Sequence, residues 1–317
     1  MLKLLLKKQL LEIFRSYYYD AKKNKARSKA ATIAYIAMFA VLMVVVLGGI
    51  FTLLSVKRCA PMAQAGMGWL YFALMGLLAV FLGVFGSVFN TYSGLYLAKD
   101  NDLLLSMPIP VGVIMTARLL VVYIMGLLYS GVVIIPAAAV YLIKVSATVG
   151  SVIGSFMSVL LISVFVLTLS CILGWVVAKI SLKLKNKSVI TVFVSIMFLA
   201  AYYFVYFKAQ SLISELIANA AVYGEKIKGS AYPIYLAGKA GTGDPAALAI
   251  VTAVVIALFA LMWVLISRSF LKTATSAGKN AKKKYRSTAV AERRLPFALL
   301  AKEFGRFASS PSYMLNC

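Results

Sequence analysis

The sequence predicts an all-α, polytopic membrane protein with six transmembrane helices, an N-terminal amphipathic helix in the membrane interface and a short cytoplasmic helix between spans two and three. Three observations predict this. Of the 317 residues, 62% are apolar and only 13% charged, where soluble domains carry about 45–50% and about 25%; mean hydropathy is +0.93. Six runs reach the roughly 20 residues that cross a hydrocarbon core of about 30 Å. The 33 Lys and Arg fall between those runs, so the formal charge of +24 records membrane orientation and not a nucleic-acid footprint.

Residues 1–30 read as a cytoplasmic amphipathic helix followed by a basic linker. Leu6, Leu10, Ile13, Phe14 and Tyr17 recur at helical spacing, with Lys3, Lys7, Lys8, Glu12 and Arg15 elsewhere on the wheel. That pattern suits a helix lying on anionic headgroups of the lipid bilayer. Residues 31–266 form the six-span domain, with spans at about 31–55, 69–92, 119–143, 149–177, 189–207 and 246–266. The first run starts too far in and is too long for a cleavable signal. The fourth exceeds the needed length and is expected to tilt.

Orientation follows from the basic residues. With an even number of spans, 26 of the 33 Lys and Arg share a side with both ends, so both termini are expected in the cytoplasm of a multi-pass protein of the cell membrane. Trp69, Tyr202, Tyr203 and Tyr206 fall at outer ends, and Tyr92, Tyr96, Trp175 and Trp263 near inner ones. Cys59 is expected in the first outer connection, open to membrane-impermeant reagents.

Much chemistry is excluded. There is no His, which removes the commonest general base and metal ligand. Cys59, Cys171 and Cys317 are too scattered for a disulfide framework or a metal cage. Cys171 inside span four reads as a small apolar residue. All nine acids, from Glu12 to Glu303, lie in connections or tails; this weakens an ion-coupled carrier and rules out an intramembrane aspartyl pair. Gly238-Lys239 and Gly278-Lys279 precede Ala and Asn, where a phosphate-binding loop needs Ser or Thr. The chain is therefore expected to be no enzyme and to bind no cofactor itself.

Between spans two and three, residues 95–110 read LYLAKDNDLLLSMPIP. Asp100 or Asn101 caps a short helix that Leu103, Leu104 and Leu105 continue and Pro108 stops. Leucines at that position need cover, either from a partner protein or from the chain's own span ends. The long outer connection, 208–245, contains an amphipathic stretch from Gln210 to Ile227 and the apolar piece Tyr232 to Leu236. It either dips back into the membrane, shielded by protein, or caps the outer leaflet. Gly150 and Gly154 permit close helix packing, and Pro136 bends span three. The spans offer only uncharged polar groups, among them Asn90, Thr91, Ser93, Ser130, Ser163, Thr168 and Ser170; a pathway built from them suits a lipid-like or hydrophobic peptide cargo better than an ion.

The N-terminal basic amphipathic helix, the six-span layout, the segment KDNDLLLSMPIPVGVIMTARLL and the long loop between spans five and six together resemble permease subunits of type-2 ABC exporters, closest to those of Gram-positive bacteria. Residues 95–120 carry the most specific part: an acidic residue, LL-S-M-P-I, then an Arg entering span three. The resemblance implies that Asp100, Asn101, Asp102, Leu103, Leu104, Leu105 and Pro108 dock a separate ABC-type ATPase. ATP and Mg would then act through that partner. It also implies that Leu2 to Tyr19 lie along the membrane beside it.

Residues 267–317 form a basic cytoplasmic linker. In it, Leu299 to Phe307 repeat Leu5 to Ile13 as LL-x-K-[QE]-[LF]-x-x-[IF]. This is expected to open a second half, so that the chain is the N-terminal half of a two-half, twelve-span permease; a homodimer is the other way to supply the second unit. The alternatives to transport are a membrane scaffold or sensor and, third, an ion-coupled carrier or channel.

Overall fold

The computed structural model describes residues 1–20, 23–96, 100–145, 147–183, 200, 203–204, 207–208, 229, 231–276 and 295–309. Among them the regular secondary structure is helical but for one antiparallel pair, β1 (Tyr19–Asp20) on β2 (Lys25–Ala26). The helices are α1 (Leu2–Ile13), α2 (Arg15–Tyr18), α3 (Lys29–Ala40), α4 (Gly48–Gln64), α5 (Gly68–Thr91), α6 (Asn101–Ser106), α7 (Val111–Lys144), α8 (Val149–Lys183), α9 (Tyr232–Gly241), α10 (Pro245–Ser276) and α11 (Leu295–Ser309). Five helices among the described residues are long and apolar enough to cross a membrane. The expected fifth span, Val189 to Phe207, and the stretch Gln210 to Ile227 lie outside the described residues apart from isolated positions.

The first crossing starts where the Ser28 hydroxyl accepts the Ala31 N–H at 3.2 Å, a helix N-cap. It continues without a break from Lys29 to Gln64, through a π-helical segment at Val41–Leu47. At 1.5 Å per residue those 36 residues run about 54 Å, well past the hydrocarbon core. The expected loop after Ser55 is therefore more helix. This overturns the expectation for Cys59: it faces α5 and α7 and is fully buried with Met62, Tyr71 and Tyr141, while Lys57 on the same helix is exposed. A membrane-impermeant maleimide added to intact cells is expected to modify Lys57→Cys and to leave Cys59 unmodified until the protein is denatured. Rapid labelling of Cys59 in the native protein would show the burial to be wrong, and labelling of Lys57→Cys only after the cells are opened would reverse the orientation.

Spans α5, α8 and α10 run in one direction and α7 runs against them, and the four pack as a bundle with a core at each end. At the end that holds α1 and α6, Leu95, Met115, Leu119, Val122, Leu167, Cys171, Met262 and Ile266 meet. At the far end, Cys59, Met62, Tyr71, Phe72, Val133, Ala137 and Tyr141 meet, and the Tyr71 hydroxyl donates to the Ala137 carbonyl at 2.9 Å. The third span begins at Val111, eight residues before the expected start, so Arg118 lies inside it. Four hydroxyls of the spans close on their own helices: Thr91 donates to Ser87, Ser130 to Gly126, Ser163 to Val159 and Thr168 to Val164, each onto the carbonyl one turn back. Ser87 and Ser170 bond each other at 2.6 Å between α5 and α8.

Helix α9 is wedged against the far ends of α5, α8 and α10, so this part of the long connection is packed into protein. The Trp69 and Tyr235 rings meet edge to face at 4.9 Å. Gly238 lies on the Trp69 carbonyl and Gly241 on the Phe72 ring, with no room for a Cβ at either. The Gly150/Gly154 pair of α8 packs on the end of α9 and the turn that follows it; a Cβ on Gly154 would sit 2.6 Å from the Ala240 carbonyl oxygen. Gly243 in that turn has φ +98°, open to glycine and few other residues. Lys239 donates to Asp244 across the turn at 2.6 Å. That bond, and then the Ala247 N–H, hold the Asp244 carboxyl below its usual range, so the contact persists at neutral pH and is lost only on acidification below the ordinary carboxylate range. Gly238→Ala must push α9 off a backbone carbonyl and is expected to cost about 1–3 kcal/mol. Gly49→Ala, where nothing lies within 4 Å, should be neutral or stabilising. Thermal unfolding in detergent separates them, and equal midpoints would show that α9 does not seat there.

Candidate functional site

The segment singled out by the sequence folds into one compact cluster. Asp100 precedes α6 but makes no capping bond, contrary to its expected role. Its carboxylate is taken by two cations instead: Arg118 of α7 donates one guanidinium N–H to Oδ1 at 3.1 Å, and Lys8 of α1 donates to Oδ2. Arg118 also donates to the Leu95 carbonyl at 3.1 Å, and Lys8 lies 3.9 Å from Glu12. One carboxylate thus joins the N-terminal helix, the short helix and the base of the third span. Arg118 is 3% exposed. A charge so placed inside a span is tolerated because it is paired and bonded to backbone.

The three leucines do not share a role. Leu104 is 4% exposed and packs in a small core with Leu5, Ile114 and Ala117, flanked by Leu105, Ile109 and Val113. It is therefore removed from the docking surface expected of it, because α6 turns the Leu104 side inward onto Leu5 of α1 and Ile114 and Ala117 of α7. Leu105 is half-buried at the edge of this core. Leu103 is 59% exposed, and with it Met107 and Pro108 are open. Asn101 and Asp102 form the first turn of α6.

The N-terminal helix shows a similar displacement. Its buried positions are Leu5 and Gln9, facing α7, and not the expected stripe. Leu6, Leu10, Phe14 and Tyr17 are half-buried and Ile13 lies at the exposed edge; Tyr17 meets the Phe39 ring at 5.8 Å. The physical reason is that α7 supplies a protein surface, so α1 turns toward it the side that sets Lys8 beside Asp100. Lys8, Leu5 and Arg118 were not among the expected site residues. The available signal was an acid before a leucine-rich helix and an Arg at the head of the next apolar run, two opposite charges that low-dielectric surroundings draw together.

Among the described residues no three of Cys, Asp and Glu gather to hold a metal ion. The fold and this cluster define a polytopic α-helical membrane protein whose N-terminal helix is clamped to its third span. The family model for membrane proteins of 12 TMs matches residues 28–308, and the chain belongs to that family. No curated protein and no solved structure matches the chain.

Proposed function

We propose that the chain is the membrane-spanning permease subunit of an ATP-driven exporter, working with a second six-span unit and with a separate ABC-type ATPase that docks on α6 from the cytoplasm. The observation that carries this reading is the clamped cluster. Helix α6 is fixed to α7 by Leu104 below and to α1 by Asp100 at its start, and it leaves Leu103 and Met107 open. A short helix held rigidly at the end of a bundle, with an apolar tip exposed, can pass a push from a partner into α7. The second unit is supported by the twelve-span family. It is either joined to this chain or a second copy of it.

Leu103→Asp is the direct test, since it alters the open tip and leaves the core alone. Losing one buried Leu from an interface is worth about 1.5–3 kcal/mol, roughly ten- to a hundred-fold in affinity. The variant is expected to insert and fold normally while the ATPase no longer co-purifies and ATP-dependent efflux from cells stops. An ATPase that stays bound, with unchanged efflux, would sink the docking role. The second reading, a membrane scaffold, is favoured by the hydroxyls of Ser87, Thr91, Ser130 and Ser170, which bond within the bundle; unaltered cargo distribution on deleting the chain would favour it.

A further inference from the structure

A cavity of about 390 Å³ lies between α5, α8, α9 and α10. Its walls include Phe72, Gly76, Phe165, Ala237 and Leu258, and Ser158 brings the one side-chain hydroxyl among them. It exists because small residues stand where four helices meet: Ala73 and Gly76 on α5, Ala237 and Ala240 on α9. A void this size left empty would forfeit the dispersion contacts of its whole lining. An apolar cavity of about 150 Å³ already takes up a six-carbon ring, so this one has room for on the order of a dozen carbons.

Its mouth shows where an occupant comes from. Leu77, Ile250 and Val254 line it and are 48%, 46% and 51% exposed. Leu77 and Val254 each lie nine residues into their helices from the far end of the bundle, about 13 Å at 1.5 Å per residue. That is close to the middle of a bilayer core of about 30 Å. At that depth the surrounding solvent is hydrocarbon. A peptide segment would bring backbone N–H and C=O groups that the lining cannot pair, whereas a hydrocarbon chain brings none.

We propose that this cavity binds the acyl chain of a bilayer phospholipid entering sideways between α5 and α10, with α9 closing it from the far end. The proposal stands whether or not the chain exports anything. To test it, the full chain is reconstituted in nanodiscs containing a phosphatidylglycerol with a photoactivatable group near the end of one acyl chain, and cross-linked peptides are mapped by mass spectrometry. Labelling is expected at residues 72–80, 233–240 and 250–258, at several times the level found at lipid-facing Val44 and Val45. Ala237→Phe, which fills the cavity, and Ile250→Trp, which blocks the mouth from its exposed rim, should each lower the labelling in the cavity at least five-fold and leave Val44 and Val45 unchanged. Because Ile250 is half-exposed, its variant also serves if Ala237→Phe fails to fold. Cavity labelling no higher than at Val44, labelling indifferent to both variants, or cross-links showing residues 189–207 of this chain seated in the mouth would each overturn the proposal.

Discussion

Leu104→Asp is expected to unseat the N-terminal helix. The side chain is 4% exposed against Leu5, Ile114 and Ala117. Truncating a buried Leu costs about 2–5 kcal/mol, and a carboxylate set in the same place adds a desolvation penalty with no partner to offset it. The bundle between α5, α7, α8 and α10 does not use this residue, so insertion should survive. The loss falls on α1 and α6, which should become open to limited proteolysis while the spans remain protected. Leu103→Asp, one residue away, should leave the proteolysis pattern as it is. If the two variants behave alike, Leu104 does not pack against Leu5, Ile114 and Ala117 as described. The contrast also separates two causes of lost transport: a damaged platform in one variant and a damaged contact in the other.

A second large effect is expected at the buried charge. Removing one partner of a buried ion pair costs about 3–5 kcal/mol, and Asp100→Ala takes from Arg118, 3% exposed, the carboxylate that faces it. The lower part of that range is the better expectation, because Asp100 itself is 14% exposed and water reaches that edge. Arg118→Met should cost less, since Asp100 keeps Lys8, whose side chain is 44% exposed and remains hydrated. In the double variant neither charge remains buried, and the combined loss should be smaller than the sum of the single losses. Thermal midpoints of the four proteins in one detergent give the comparison. Strict additivity would mean that the two residues act separately.

Much of this was readable in the sequence, for reasons that differ from element to element. The apolar runs at 69–92 and 149–177 identified α5 and α8 because a bilayer imposes a length that no soluble core demands. The first span was read too short: Lys57 and Arg58 interrupt hydropathy, but a helix continues beyond the hydrocarbon wherever its other side is covered, and Cys59 and Met62 are covered. Arg118 was read as the flank of a span because charge was counted and burial was not visible. The segment 100–108 was correctly found as a short helix, while the division of its leucines into one buried and one exposed depends on which side α7 occupies. Linear spacing cannot supply that. Gly238 and Gly241 gave no signal at all, since glycines in a loop are ordinary until a neighbouring carbonyl or ring fixes their use.

The contact between Lys8 and Asp100 joins residues 92 positions apart, and this bears on the order in which the protein is made. At about 5–20 residues per second, α1 leaves the ribosome roughly 5 to 18 seconds before its seat on α6 and α7 exists. A helix of 12 residues is marginal in water by itself. During that interval its apolar side has only the membrane surface to rest on, and its lysines favour that arrangement. The N-terminal helix is thus born as a peripheral membrane segment and becomes part of a folded core only when the third span arrives to receive it.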